Sequence, residues 1–426
     1  MEDAAARAER WATLLTERRS VSGTDGEAGF AAFLRDLVRG SPAFAGRPED
    51  VWLLPVPGGR HPRHCVLALV RGRGPDTVVL TGHFDTVGTA DFGALEPVAT
   101  DPAALRRALP AMPGVDERAA AEIASGRFVP GRGLLDMKAG LAAMLVALEE
   151  HAAAGVPSGN LLFVAVPDEE VDSAGARAAA AALPEVARER GLRLLAAING
   201  DAIADDGDGE AGRAVCLGTV GKLCPAVLVV GRPVHAGYSF RGINALALAG
   251  AIAAEMEWEP ELAEANEDGG ERAGPTLLGM GDGRERYDVT TPGTAWLYWN
   301  VITRHAGAGD VLDAVERAAA RATEAMSRRL AERRRQATGA GAELPPVRVL
   351  RYSALAAEVR RARPDDGMAI LAALGSELAA AGLPLPEQCR RLCVRAVELC
   401  GLDGPAVVVA LASVPYLPTT LRAPAM

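Results

Sequence analysis

Four short segments of this chain each end on side chains able to bind a hard or borderline divalent cation. They are TGHFDTV (81–87), GRGLLDMKAG (131–140), VAVPDEEVDSAG (164–175) and AAINGDA (196–202), carrying His83, Asp136, Glu169, Glu170 and Asp201. Imidazole and carboxylate donors suit zinc and its neighbours. Adjacent carboxylates at the end of an apolar strand are costly unless a proton or a cation offsets their charge. We read the four segments as parts of one metal site with one piece of its donor set missing.

Each group has a chemical task and a plainer alternative. His83 would bind a cation through one ring nitrogen, and Asp85, two residues on, would hydrogen-bond the other and fix the tautomer. A lone histidine at a turn is more often structural. Asp136 lies in a glycine-rich loop leading into a helix, where a carboxylate can bridge two cations roughly 3.5–4 Å apart or simply cap the helix. The Glu169–Glu170 pair suits a division of labour: Glu170 ligates a metal, while Glu169 stays uncoordinated and moves a proton. Asp201 completes the ligands of the first metal. Further along, GRPVHAGYSFRGINA (231–245) holds His235, Arg241 and Asn244. These can grip a substrate carboxylate or an oxyanion, or merely form the turn between a strand and a helix.

The elements that position these groups alternate. Apolar strands are expected at 51–56, 65–72, 77–85, 160–170 and 192–201, with helices at 3–18, 26–39, 137–155 and 176–191. Such alternation predicts an α/β domain with a doubly wound, mostly parallel sheet. In such sheets the carboxyl ends of the strands host the site. After the acidic, glycine-rich linker 205–213 the pattern becomes β-α-β-β-α-β, with strands at 219–231, 275–281, 293–303 and 346–352 and helices at 244–258 and 310–336. That order predicts an inserted ferredoxin-like α+β domain. Residues 353–426 are expected to return to the first domain, with strand 405–414 completing its sheet. The expected domains are therefore 1–213, 214–352 and a shortened 353–426.

Composition narrows the function classes. A chain of 426 residues exceeds the size of one core. A net charge of −10 with 4% aromatics argues against a nucleic-acid surface. The basic run 328–335 reads as a solvated helix end. No 18-residue apolar run is free of charges or breakers, so no membrane span is expected, and the amino terminus reads as an amphipathic helix rather than a signal peptide. Six dispersed cysteines read as reduced thiols of a cytoplasmic protein. Cys389, Cys393 and Cys400 fall on one helix face as small apolar residues.

Together GHFDTV, GRGLLDMKAGLAA, PDEEVDSAGAR, INGD and HAGYSFRGINA resemble the co-catalytic zinc aminoacylase/carboxypeptidase superfamily, which includes acetylornithine deacetylase, succinyl-diaminopimelate desuccinylase and peptidase T. DFGALEP, GTVGKLCP and RYDVTTPGTAWLYWN resemble its arginine-utilisation branch. The resemblance implies two zinc ions, with cobalt or manganese as substitutes. It implies His83 and Asp201 on one zinc, Asp136 bridging, Glu170 on the second, Asp85 orienting His83, and Glu169 as general acid/base. His235 corresponds to the lid-domain histidine, which in dimeric relatives reaches the neighbouring active site, so a homodimer through the inserted domain is implied. The implied reaction is hydrolysis of an amide or peptide bond in a small acyl-amino acid or peptide. One feature departs from the pattern. The family completes its second metal with a distal histidine, and this sequence has none after His305. The alternative expectation is thus a catalytically impaired relative that binds a ligand or serves as a scaffold.

Overall fold

The computed structural model describes all residues except 1–2, 60, 156, 203–214, 265–271, 285, 340–343 and 421–426. The expected linker, 205–213, lies outside the described residues. The chain divides into two units, Met1–Ala214 and Val215–Met426.

In the first unit, α1 (Ala4–Glu17) and α2 (Asp25–Arg39) precede β1 (Val51–Val56), β2 (Arg63–Val70) and β3 (Arg73–His83). Two short helices, α3 (Pro102–Ala108) and α4 (Glu117–Ala124), follow. Then come α5 (Ala139–Ala153), β4 (Ser158–Val166), α6 (Ala174–Arg190) and β5 (Arg193–Asn199). The sheet order is β1-β2-β4-β3-β5. Its β4-β3-β5 half is parallel, but β1 and β2 run antiparallel to their neighbours. The sheet is therefore mixed rather than mostly parallel. Parallel neighbours need a long crossover, which α5 and α6 supply, whereas the short β1–β2 connection permits only a hairpin.

Both faces are covered, and the strands show it residue by residue. Leu67, Leu69, Leu162 and Val164 pack with Ala179 of α6, while the intervening Ala68, Val70 and Phe163 pack with Leu15, Phe30 and Leu141 of α1, α2 and α5. Period-two alternation in an all-apolar strand divides one run of residues between two cores. Each fully buried Leu or Phe contributes about 1.5–3 kcal/mol.

The second unit holds β6 (Gly218–Thr219), β7 (Gly221–Leu223), β8 (Pro225–Val230), α7 (Ala245–Met256), β9 (Thr276–Gly281), β10 (Thr294–Thr303), α8 (Ala308–Thr338) and β11 (Arg348–Arg351). After these come α9 (Tyr352–Ala362), α10 (Gly367–Ala380), α11 (Leu385–Cys400), β12 (Ala406–Leu411) and β13 (Thr419–Thr420). The main sheet runs β11-β12-β8-β10-β7, with β9 on β10. This corrects one expectation. Strand 405–414 does not complete the first sheet: β12 pairs antiparallel with β8 and parallel with β11. β12 thus lies between β8 and β11, the strand expected at 346–352. The physical reason is two-sided burial. Val407 and Val409 enter the core beneath α7 and α8, while Ala406, Val408 and Ala410 enter the one beneath α9 and α11. Cys393 is buried in that second core, as the helix-face reading expects.

No helix among the described residues is long and apolar enough to cross a membrane.

Candidate metal centre

Three parallel strands deliver the donors to one edge of the first sheet. His83 is the last residue of β3 and pairs with Val166, the last residue of β4. The chain then turns through Pro167 and Asp168 to Glu169 and Glu170. Asp201 follows β5, whose exit is tied down by Gly200 N donating to Thr81 O at 3.2 Å. Asp136 arrives from the loop before α5. Its position depends on two close approaches. A Cβ at Gly82 would sit 2.1 Å from Met137 Cε, and one at Gly140 would sit 2.0 Å from Gly200 O. At Gly140, where the neighbour is main chain, only hydrogen lets α5 start against the Asp201 turn, while a side chain at Gly82 would displace the Met137 thioether from β3. The peptide between Asp136 and Met137 is cis.

Among the described residues, His83, Asp136 and Asp201 each offer a ligand atom within 4.8 Å of the others. His83 Nε2 is 2.9 Å from Asp136 Oδ1 and 3.9 Å from both Glu169 Oε2 and Asp201 Oδ1. Glu170 lies outside the three-donor group but feels the Asp136 charge. Burial alone pulls the His83 imidazole down, yet the carboxylates of Asp85, Glu169 and Asp201 override it and lift it to about 9. Glu169 is raised by desolvation, then by the charges of Asp201, Asp85 and Asp136. Glu170 is likewise raised, first by desolvation. A buried imidazole held protonated by surrounding carboxylates marks a place short of positive charge. One neutral nitrogen and carboxylate oxygens within a few ångströms fit a zinc-like dication.

Asp85 is wholly buried, and its contacts differ from expectation. Its main-chain oxygen, not its carboxylate, lies within hydrogen-bond distance of His83 Nδ1, at 3.0 Å against 3.6 Å. The carboxylate is drawn elsewhere, accepting from Ser22 Oγ at 2.7 Å, Glu169 N at 3.1 Å and Glu170 N at 3.3 Å. Burial would raise this carboxyl, but the hydrogen bonds and the His83 charge hold it below the usual range.

Several polar groups around the centre went unnoticed in the sequence. Lys138 is fully buried, donates to Arg18 O at 2.9 Å, lies over the Phe30 ring and is pulled down to about 7 by desolvation. Arg63 pairs with the buried Asp168. Glu27 accepts from Gly23 N at 2.8 Å, while its Oε1 has no partner. The only signal for them was a charged residue inside an apolar element, as in LLDMKAGLAA.

Burial raises Glu27 from 4.5 to about 7. Between those values the native state keeps a proton that the unfolded chain has lost, so stability falls as pH rises through that window. Glu27→Gln, which cannot ionise, removes this dependence. Across pH 4.5 to 7 its unfolding free energy should gain about 3 kcal/mol on the unsubstituted chain, as measured by urea denaturation. Parallel stability curves would refute the assignment.

The candidates from the second unit have local roles. His235 Nδ1 accepts from Gly237 N at 3.1 Å. The Arg241 guanidinium lies 5.0 Å from the Tyr238 ring centroid. Asn244 Oδ1 caps α7, accepting from the amides of Leu246 and Ala247 at 3.0 and 3.3 Å. A cavity of about 540 Å³ in this unit, between α11 and the end of β12, is lined by no carboxylate or imidazole, so volume does not mark the chemistry.

Peptidase family M20/M25/M40 matches residues 108–363, more than half the chain. Protein RocB of Bacillus subtilis (strain 168) is 33% identical over 314 residues, covering 72% of this chain and 55% of that protein. Succinyl-diaminopimelate desuccinylase 2 of Shewanella loihica is 28% identical over 185 residues, covering 43% of this chain and 42% of that protein. Human carnosine dipeptidase 1 shares the fold at a TM-score of 0.50 with 16% identity, covering 75% of each chain. The chain belongs to peptidase family M20/M25/M40, as its motifs implied. It spans about half the length of these curated relatives.

Proposed function

We propose that the chain is a metal-dependent hydrolase of amide or peptide bonds in small acyl-amino acids or peptides, with the link to arginine use that its motif resemblance implies. The observation that carries this reading is the convergence of His83, Asp136 and Asp201 beside two carboxyls raised by burial. In this reading His83, Asp136 and Asp201 would hold zinc, and Glu170 would be available to a second ion. Cobalt or manganese could stand in. The bound metal would polarise the scissile carbonyl and acidify water.

The chain's own residues do the rest. Glu169, kept basic by its surroundings, takes a proton from the attacking water as the new C–O bond forms. It returns that proton to the nitrogen as the C–N bond breaks, leaving a carboxylic acid and an amine. Asp85 holds the Glu169–Glu170 turn and the His83 ring in place. His235, Arg241 and Asn244 are proposed to bind the substrate carboxylate. A second reading, a ligand-binding relative without turnover, is favoured by Glu170 standing outside the three-donor group.

The test is stepwise addition of zinc, cobalt or manganese to chelator-treated protein, reading bound metal and turnover on N-acyl amino acids and dipeptides. We expect bound metal and chelator-sensitive hydrolysis. Folded protein that binds metal without turnover would support the second reading, and no bound metal would sink both.

A further inference from the structure

We propose that Ser22 is a positioning residue for the metal centre. Its hydroxyl fixes the Asp85 carboxylate and, through it, both the His83 ring and the turn bearing Glu169 and Glu170. The inference rests on the metal-site reading above.

The residue comes from the loop between α1 and α2, 63 positions before Asp85. The loop is laid against that strand end by main-chain bonds, Ser22 N to Thr86 O and Thr86 N to Ser20 O, both 3.0 Å. Ser20 Oγ donates to Phe84 O at 2.6 Å, and Gly23 N donates to Glu27 at 2.8 Å. The loop is therefore held independently of Asp85. From this support Ser22 Oγ reaches Asp85 Oδ2 at 2.7 Å, closer than its other acceptor, Thr86 O at 3.1 Å, and closer than either amide that shares the carboxylate.

The consequence follows from counting acceptors. Asp85 has two oxygens, and the groups around them are Ser22 Oγ, the amides of Glu169 and Glu170, and His83 Nδ1. Ser22 anchors Oδ2, which it shares with the Glu170 amide, while Oδ1 is the oxygen 3.6 Å from His83 Nδ1. This leaves Oδ1 to the Glu169 amide and the main-chain oxygen of Asp85 to His83 Nδ1. With the Nδ1 proton directed to the Asp85 main-chain oxygen, Nε2 is the nitrogen that faces the donor cluster and would lose its proton to a bound cation. Without the hydroxyl the carboxylate is free to turn toward His83, loosening the Glu169–Glu170 amides and detuning the ring together. Loss of a hydrogen bond to a charged group that orients a ligand should weaken metal binding about tenfold.

The experiment compares Ser22→Ala, Ser22→Thr and Ser20→Ala. Zinc affinity is read by competition with a chromophoric chelator, and hydrogen–deuterium exchange is read over residues 166–173. Ser22→Ala should bind zinc about tenfold more weakly and exchange faster in that segment. Ser22→Thr should restore both, since it returns the hydroxyl. Ser20→Ala, which cuts only the loop's anchor to Phe84, should lower the melting temperature without reproducing either change. Unchanged affinity and exchange in Ser22→Ala, or the same changes at equal size in Ser20→Ala, would overturn the proposal. If the unsubstituted protein holds no zinc, the proposed function fails by itself, and the exchange comparison alone decides the role of Ser22.

Discussion

Glu169→Gln should lower kcat/KM by about two to four orders of magnitude while leaving bound metal unchanged. Glutamine keeps the size and the neighbouring amide contacts but cannot accept a proton. Glu169 is half exposed at the edge of the cluster, 3.9 Å from His83 Nε2, and is not among the three mutually close donors. Its loss should therefore spare metal binding. Burial and the charges of Asp201, Asp85 and Asp136 raise its carboxyl above the ordinary glutamate range. Because the base must be deprotonated to act, activity should fall on the acidic side of the rate profile, and Glu169→Gln should abolish that limb. Metal analysis beside steady-state kinetics checks the prediction. A variant retaining a tenth or more of the activity would transfer the proton-moving role elsewhere.

Asp85→Ala should do comparable damage by a different route. Three donors converge on this wholly buried carboxylate, and truncation removes the acceptor of the Glu169 and Glu170 amides at once and leaves the Ser22 hydroxyl only its longer bond to Thr86 O, at 3.1 Å. It also removes the negative charge that helps keep His83 cationic before metal binds. Breaking a buried charged network typically costs about 3–5 kcal/mol, and disturbing the partner of a metal-binding histidine about 10–100-fold in affinity. Urea denaturation and chelator competition measure the two effects separately. A loss of stability below about 1 kcal/mol would mean that water replaces the carboxylate and that the network is not rigid.

Much of this centre was legible before any coordinates, and for a local reason. His83 ends β3 and Asp201 follows β5, each behind an apolar run that reads as a strand. Parallel strands connected by helices place their carboxyl ends on one edge, so order along the chain was enough to bring these groups together. Glu169 and Glu170 follow β4 by the same logic. What local pattern could not supply was the address of a strand. The run AVVVAL of β12 is equally apolar on both faces and would suit the interior of either sheet. It joins β8 and β11 because α7 and α8 wait on one side and α9 and α11 on the other.

The same distinction runs through the site. Donor types, their strand-end spacing and the likeness to a metallohydrolase family all followed from the order of amino acids, since side-chain chemistry and hydrophobic period are local properties. Folding alone decided that the Asp85 carboxylate faces Ser22 and two amides instead of the imidazole, that Lys138 and Glu27 lie inside, and that the last long apolar strand belongs to the second unit. Those outcomes depend on which distant groups compete for the same atom or the same core face, and such competition exists only once the chain has closed on itself.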